Sequence, residues 1–319
     1  MLTRMQKLLP AFWKQLQTRG IPWAPGLSAA EQTRLTWAKA IEAVGDVPVV
    51  YRDFFDPLLV NGDPFPYVVF APARDSLFHK TTEKLVVHSG REIDILERTE
   101  DKFKPHCHPL DKISYVETGT VLLDSYVKIS GSTRDGNPNS ITIKFNSVTD
   151  YLFMPILKAI RLAAGNGVFS QNNEKGKFDH LSRLNFKFMN YAKRSLLAGE
   201  RVVHFVLQPE IQEPIVKILG WIYHRIISPT HMIILTDREL IAIREEEPKS
   251  GVGGKYGGIW DYIPLNKITG LYLTGRDDRL LTLSIHLPEK TALEFLYQAS
   301  AKPELDGFID RFHEITAAC

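Results

Sequence analysis

The sequence predicts a mainly β protein with helices, built as two copies of one small module. Each copy should hold about seven antiparallel strands closed by a C-terminal helix. Three observations carry this expectation. The first is an internal repeat: KLVVHSGREIDILERTEDKFKPHCHPLDKISYVETG, starting at Lys84, returns from His231 as HMIILTDRELIAIREEEPKSGVGGKYGGIWDYIPLNKITGLYLTG. Arg91-Glu92 recurs 147 positions later as Arg238-Glu239, and Pro109-Leu110 and Lys112-Ile113 recur 155 positions later as Pro264-Leu265 and Lys267-Ile268. The eight extra residues fall in one loop, Gly251 to Gly258, where added length costs little because closure entropy grows slowly. The period far exceeds the roughly 20–50 residues of solenoid repeats, so it marks two domains rather than an array. The second observation is period-two hydrophobicity, as in Ile141, Ile143 and Phe145 and in Leu281, Leu283, Ile285 and Leu287, the mark of strands with one buried side. The third is an amphipathic helical stripe after each strand run: Leu152, Phe153, Ile156, Leu157 and Ile160, then Leu305, Phe308, Ile309, Phe312 and Ile315.

Composition narrows the class. A chain of 319 residues fits about two domains of 100–200 residues each. A net charge of +2 and a pI near 8.4 argue against a nucleic-acid binder, which would show a clustered basic stripe and a pI above about 9. Only Cys107 and Cys319 are present, so a disulfide framework is not expected and a reducing, cytoplasmic setting is the simpler reading. No run reaches the roughly 18 apolar residues that span a bilayer, and no signal peptide is expected at the N-terminus.

Residues 1–46 read as a helical segment. Leu2, Met5, Leu9, Phe12 and Leu16 recur at helical spacing, with Pro10 at a break. Ser28 and Glu31 form a capping box for a second helix with Leu35, Ala38 and Ile41 on its apolar side, ended by Gly45 and Pro48. Arg4, Lys7, Lys14 and Arg19 stand among the first twenty residues with no acid. That pattern suits an interfacial helix on an anionic membrane or a helix packing its apolar side on the first domain. Residues 47–165 form the first module. Val49 to Tyr51 and Tyr67 to Phe70 read as β-rich runs. Leu85 to Val87 turns at Ser89-Gly90 into Ile93 to Ile95, and Ile113 to Val116, Leu122 to Ile129 and Ile141 to Phe145 come next. Ser147 with Asp150 should cap the closing helix, and Pro155 should kink or shorten it.

Residues 166–200 form a linker: a polar loop over Gln171 to Lys177, then a basic amphipathic helix through Leu181, Leu184, Phe188, Tyr191 and Leu196 that ends at Gly199. Residues 201–319 form the second module. It opens on Val202 to Leu207 and then carries the most apolar segment of the chain, Ile215 to Ile227. That segment is too short to cross a membrane. Two readings stand: an interfacial contact using Lys217, Trp221, Tyr223 and Arg225, or a buried strand or helix. The closing helix should begin at Pro303.

The residues Leu235-Thr236-Asp237-Arg238-Glu239-Leu240-Ile241, Ile263-Pro264-Leu265-Asn266-Lys267-Ile268 and the terminal helix, echoed at Arg91-Glu92-Ile93 and His108-Pro109-Leu110-Asp111-Lys112-Ile113, resemble the pleckstrin-homology-like superfamily, close to bacterial PH-like and GRAM-type modules. The resemblance implies two tandem PH-like barrels and a binding or scaffolding role rather than an enzyme. It also implies candidate anionic-ligand contacts at Arg74, Lys80 and Lys84, beside His79, although these lack the family's Lys-x-basic-x-Arg spacing. The superfold hosts lipid binding, peptide binding and scaffolding alike.

Catalytic chemistry finds little support in the residues. His106-Cys107-His108 offers two ligands from one strand side, and zinc needs three or four. The Gly251–Gly258 loop is no P-loop, since Lys255 precedes Tyr256 rather than Ser or Thr, and it reads as a hairpin loop. The expectation is therefore a protein with no cofactor, acting through a protein partner or self-association. The alternative is peripheral attachment to an anionic membrane through basic residues and the segment 215–227.

Overall fold

The computed structural model describes residues 28–54, 64–76, 79–99, 102–163, 174–218, 221–246 and 257–317. The helix expected over the first twenty residues lies outside them. The fold is mainly β with several helices, and among the described residues its strands form antiparallel sheets, none closed into a barrel. Contacts divide the chain into two compact units. The first comprises Met1–Pro109, Leu123–Tyr126 and Thr142–Ile156; the second comprises Leu110–Leu122, Val127–Ile141 and Leu157–Cys319.

The first unit opens on α1 (Ala29–Leu35), capped as expected: Ser28 accepts from the Glu31 amide and the Glu31 carboxylate returns to the Ser28 amide. The helix stops at Leu35, short of the expected stretch. Ile41 instead lies in strand β1 (Lys39–Ile41), where it is buried. Val49–Tyr51 is a 3-10 turn and not a strand. Its β-branched residues Val49 and Val50 face water, and the turn serves to drive Tyr51 into the core, where its hydroxyl donates to Glu83. Then come β2 (Tyr67–Ala71), β3 (Arg74–Ser76), β4 (His79–Thr81), β5 (Glu83–His88), β6 (Glu92–Thr99) and β7 (Lys102–Pro109). The main sheet runs β1-β2-β5-β6-β7, with β3-β4 as a separate hairpin. Gly90 holds φ near +90° in the β5–β6 turn, a backbone state glycine reaches without Cβ strain. Ile41, Val47, Tyr51, Val68, Leu85, Val87 and Leu96 make the core.

A 3-10 turn, Leu110–Lys112, leads into β8 (Ile113–Val121), β9 (Asp124–Ser132) and β10 (Pro138–Asn146). Ile141, Ile143 and Phe145 are buried on the predicted side of β10. Asn146, not Ser147, supplies the next cap, accepting from the Val148 amide. The segment it opens is a 3-10 turn over Ser147–Leu152, and α2 (Met154–Ala163) comes after it. Pro155 therefore sits in the first turn of α2, where its missing N–H costs nothing.

The linker is a 3-10 stretch over Glu174–Arg183, then α3 (Phe186–Ser195) capped by Asn185. The second unit continues with β11 (Val202–Gln208), β12 (Ile211–Ile218), β13 (Trp221–Ser228), β14 (His231–Thr236), β15 (Glu239–Arg244) and β16 (Gly257–Pro264). A 3-10 turn at Leu265–Lys267 precedes β17 (Gly270–Gly275), β18 (Leu280–His286), β19 (Ala292–Gln298) and α4 (Lys302–Ala317). The described residues of the apolar segment 215–227 thus fall on β12 and β13, whose pairing shifts register after Ile211 and after Pro214. On α4, Leu305, Phe308 and Phe312 are buried against Leu283, Ile285 and Tyr297 in one cluster. Each such side chain contributes about 1.5–3 kcal/mol by leaving water.

The element order repeats. β2, a hairpin, β5-β6-β7, a Leu-x-Lys 3-10 turn, three strands and a helix in the first half match β11, a hairpin, β14-β15-β16, a Leu-x-Lys 3-10 turn, three strands and a helix in the second. Among the described residues each copy holds nine strands where about seven were expected; the surplus is the inserted hairpin. One sheet has seven strands in the order β10-β9-β8-β16-β15-β14-β11, so the fifth main strand of one copy pairs with the fourth of the other. Gly257 and Gly258, read from sequence as loop, belong to β16 and face Val121 and Thr120. A Cβ on Gly257 would lie 2.3 Å from the Thr120 carbonyl oxygen, which explains glycine there.

Candidate functional site

Apart from Lys84, which lies on β5, the residues proposed from sequence fall on two hairpins at matching places in the two copies. Arg74 and Lys80 belong to β3 and β4, with Arg74 opposite Thr81 and Lys80 opposite Asp75. Lys217, Trp221, Tyr223 and Arg225 belong to β12 and β13, with Lys217 opposite Ile222 and Arg225 opposite Glu213. The side chains of Arg74, Lys80, Lys217, Trp221 and Tyr223 lie outside what the structure describes. Arg225 is exposed in a row with His224 and Ile226. Lys84 is only 6% exposed. Its ammonium stands 3.0 Å from Glu97 and donates to Thr82, so its charge is used inside the first unit.

At the base of β12–β13 a cleft of about 390 Å³ is lined by Ile211, Glu213, Ile227, Asp278, Arg279 and Gln298. A second groove, about 580 Å³, runs between the linker and β11 past His180, Leu184, His204, Phe205 and Glu304. His180 stacks on Phe205 at 5.6 Å. Burial holds the His204 imidazole below its ordinary pKa, against the opposing pull of Glu304.

Two buried charge clusters hold the second unit, and neither was foreseen. In the first, Arg161 of α2 donates from Nε to Glu239 at 2.8 Å, and from its terminal nitrogen to the Ser195 carbonyl at 2.8 Å and to Glu200. Its guanidinium lies 3.9 Å over the Tyr262 ring. Glu200 also accepts from Thr236 Oγ1 and from the Leu197 amide. Burial, with Glu239 beside it, pushes the Glu200 carboxyl up to about 8 despite Arg161. Glu239 is the second residue of the repeated Arg-Glu pair, so the repeat signal marks an anchor for the linker and α2.

The second cluster sits on the β16–β8 ladder. Asp261 and Glu117 stand directly opposite each other, a like-charge pairing that would repel unaided. Arg244 bridges them, 2.5 Å from Asp261 and 3.2 Å from Glu117, and Lys128 lies 3.8 Å from Glu117. Burial lifts the Asp261 carboxyl to about 7, and the Glu117 charge adds to the rise against Arg244. Removing one partner of such a cluster strands an uncompensated charge in the interior, which is strongly destabilising.

His106 and His108 are buried on β7, and His106 faces Glu97 at 3.4 Å. Among the described residues, no group of three or more His, Cys, Asp or Glu is placed to hold a metal ion, and no helix is long and apolar enough to cross a membrane. No protein-family model matches the chain, and no curated protein sequence matches it.

Proposed function

We propose that the chain is a non-catalytic binding or scaffolding protein of two pleckstrin-homology-like modules, acting through protein interaction in the cytoplasm. The observation that carries this reading is the element order run twice: a four-stranded meander, a 3-10 turn, three further strands and an amphipathic helix. The described polar clusters support it, because their charges are spent on one another and on the backbone. Arg161 and Arg244 each bind two carboxylates.

A second reading is peripheral attachment to an anionic membrane. It is favoured by the exposed row His224, Arg225 and Ile226 on the hairpin that also carries Trp221. Vesicle flotation of the full chain, on neutral and on anionic lipid at low and high salt, separates the two. The scaffold reading expects the protein to stay with the unbound fraction in every condition. Flotation on anionic lipid alone, released by salt, would replace it with the membrane reading.

A further inference from the structure

The two copies use the same strand differently. β8 comes after the 3-10 turn Leu110–Lys112 and receives β16 along its outer edge, with pairing from Tyr262–Val116 to Gly257–Val121. β17 comes after the equivalent turn Leu265–Lys267, and its one ladder neighbour among the described residues is β18. Among those residues its other edge is open where that of β8 is filled.

Open edges are normally blunted by lysine, proline, charge or a covering segment. The other edge strands here obey that rule. β1 has three residues and carries Lys39; β7 carries Lys102, Lys104 and Pro105; β10 carries Pro138 and Lys144; β19 carries Glu294. β11 has neither charge nor proline, but the linker covers it. Lys177 donates to the Val202 carbonyl and Glu174 accepts from the Val202 amide, while Phe178 and His180 pack on Phe205. β17 reads Gly-Leu-Tyr-Leu-Thr-Gly, with no charge, no proline and Tyr272 52% exposed.

The centre of β17, Leu271-Tyr272-Leu273, reads the same in both directions. Two copies paired antiparallel about a twofold axis at Tyr272 set Tyr272 opposite its own counterpart, Leu271 of one opposite Leu273 of the other, and Gly270 opposite Thr274. Just outside the ladder, Lys267 of one copy then lies toward Asp277 and Asp278 of the other, opposite in sign. Both ends fit a closed, twofold contact, the commonest kind in soluble oligomers.

We infer that β17 is a self-pairing edge, through which two copies of this chain join by antiparallel strand addition. The inference rests on the protein-interaction reading and deepens it by naming one partner and its surface. Sedimentation of the full chain across a concentration series tests it, with Thr274→Lys and Tyr272→Lys as variants at exposed positions; a lysine on an edge blocks pairing and leaves the strand folded. A dimer is expected for the natural sequence at about 100 µM, with both variants monomeric and their thermal unfolding unchanged. Tyr272→Cys, opposite its own counterpart in this pairing, should give a disulfide-linked dimer that reductant dissolves and that the natural sequence does not form. A monomeric natural chain at that concentration, or lysine variants that dimerise equally well, would overturn the inference. Capture of another protein by a monomeric chain would overturn it too, while leaving the scaffold reading intact.

Discussion

β8 and β17 occupy the same place in the two copies, yet one is interior to a seven-stranded sheet and the other ends a three-stranded one. β8 is nine residues long, with Ile113 through Val116 buried in succession; β17 is six, with Leu271 its one buried residue. The difference lies in what the partner strand brings. β16 arrives with two glycines that allow close approach and with Asp261, whose charge Arg244 offsets. A repeated module need not repeat its pairing, because an edge is filled only where a later stretch of the chain supplies a matching strand.

The strongest way to break the contrast is to remove the cation that ties α2 and the linker to β15. Arg161→Met leaves Glu239 and Glu200 buried without it, and should cost about 3–5 kcal/mol, read by urea unfolding. Next comes Gly257→Ala, whose Cβ meets the Thr120 carbonyl on β8 and should cost about 1–3 kcal/mol. Its counterpart on the open edge, Gly275→Ala, meets nothing within 4 Å and should stay within about 0.5 kcal/mol. Equal losses at the two glycines would mean that the β16–β8 contact is not what makes position 257 special.

The pH dependence is gentler. Asp261 and Glu200 titrate near 7 and 8 in the fold, above their ordinary 3.8 and 4.5. The folded state therefore holds protons that the unfolded chain releases, and these two groups lower stability as pH rises from about 4 to 8. The slope is at most about 1.4 kcal/mol per pH unit for each group. Asp261→Asn should flatten the part below pH 7, and Glu200→Gln the part that extends to 8. An unchanged slope in both would place the titration elsewhere.

Much of the strand pattern was legible because it is local. Alternation marked β10 and β18, and the recurring Arg-Glu and Pro-Leu-x-Lys-Ile words located the starts of β6 and β15 and the two 3-10 turns. Ser28 and Glu31 announced their own cap. What stayed hidden depends on distant partners. Nothing around Gly257 says that Thr120 lies against it, and Arg244 and Glu117 meet across 127 positions of chain. Val49-Val50-Tyr51 misled because β-branched residues suit strands, while Tyr51 alone is drawn into the core. Among the residues expected to bind, Lys84 carried a charge whose partner, Glu97, no pattern in the chain singled out.

The pairing of β8 with β16 also sets a schedule. β8 leaves the ribosome well before β16 exists, and at about 5–20 residues per second its edge waits on the order of ten seconds for its partner. Through that interval Glu117, Thr118 and Thr120 stand along the open edge, with Leu122 and Leu123 exposed at the turn beyond. The acidic residue that must later be neutralised by Arg244 is, during synthesis, a guard against pairing with the wrong strand.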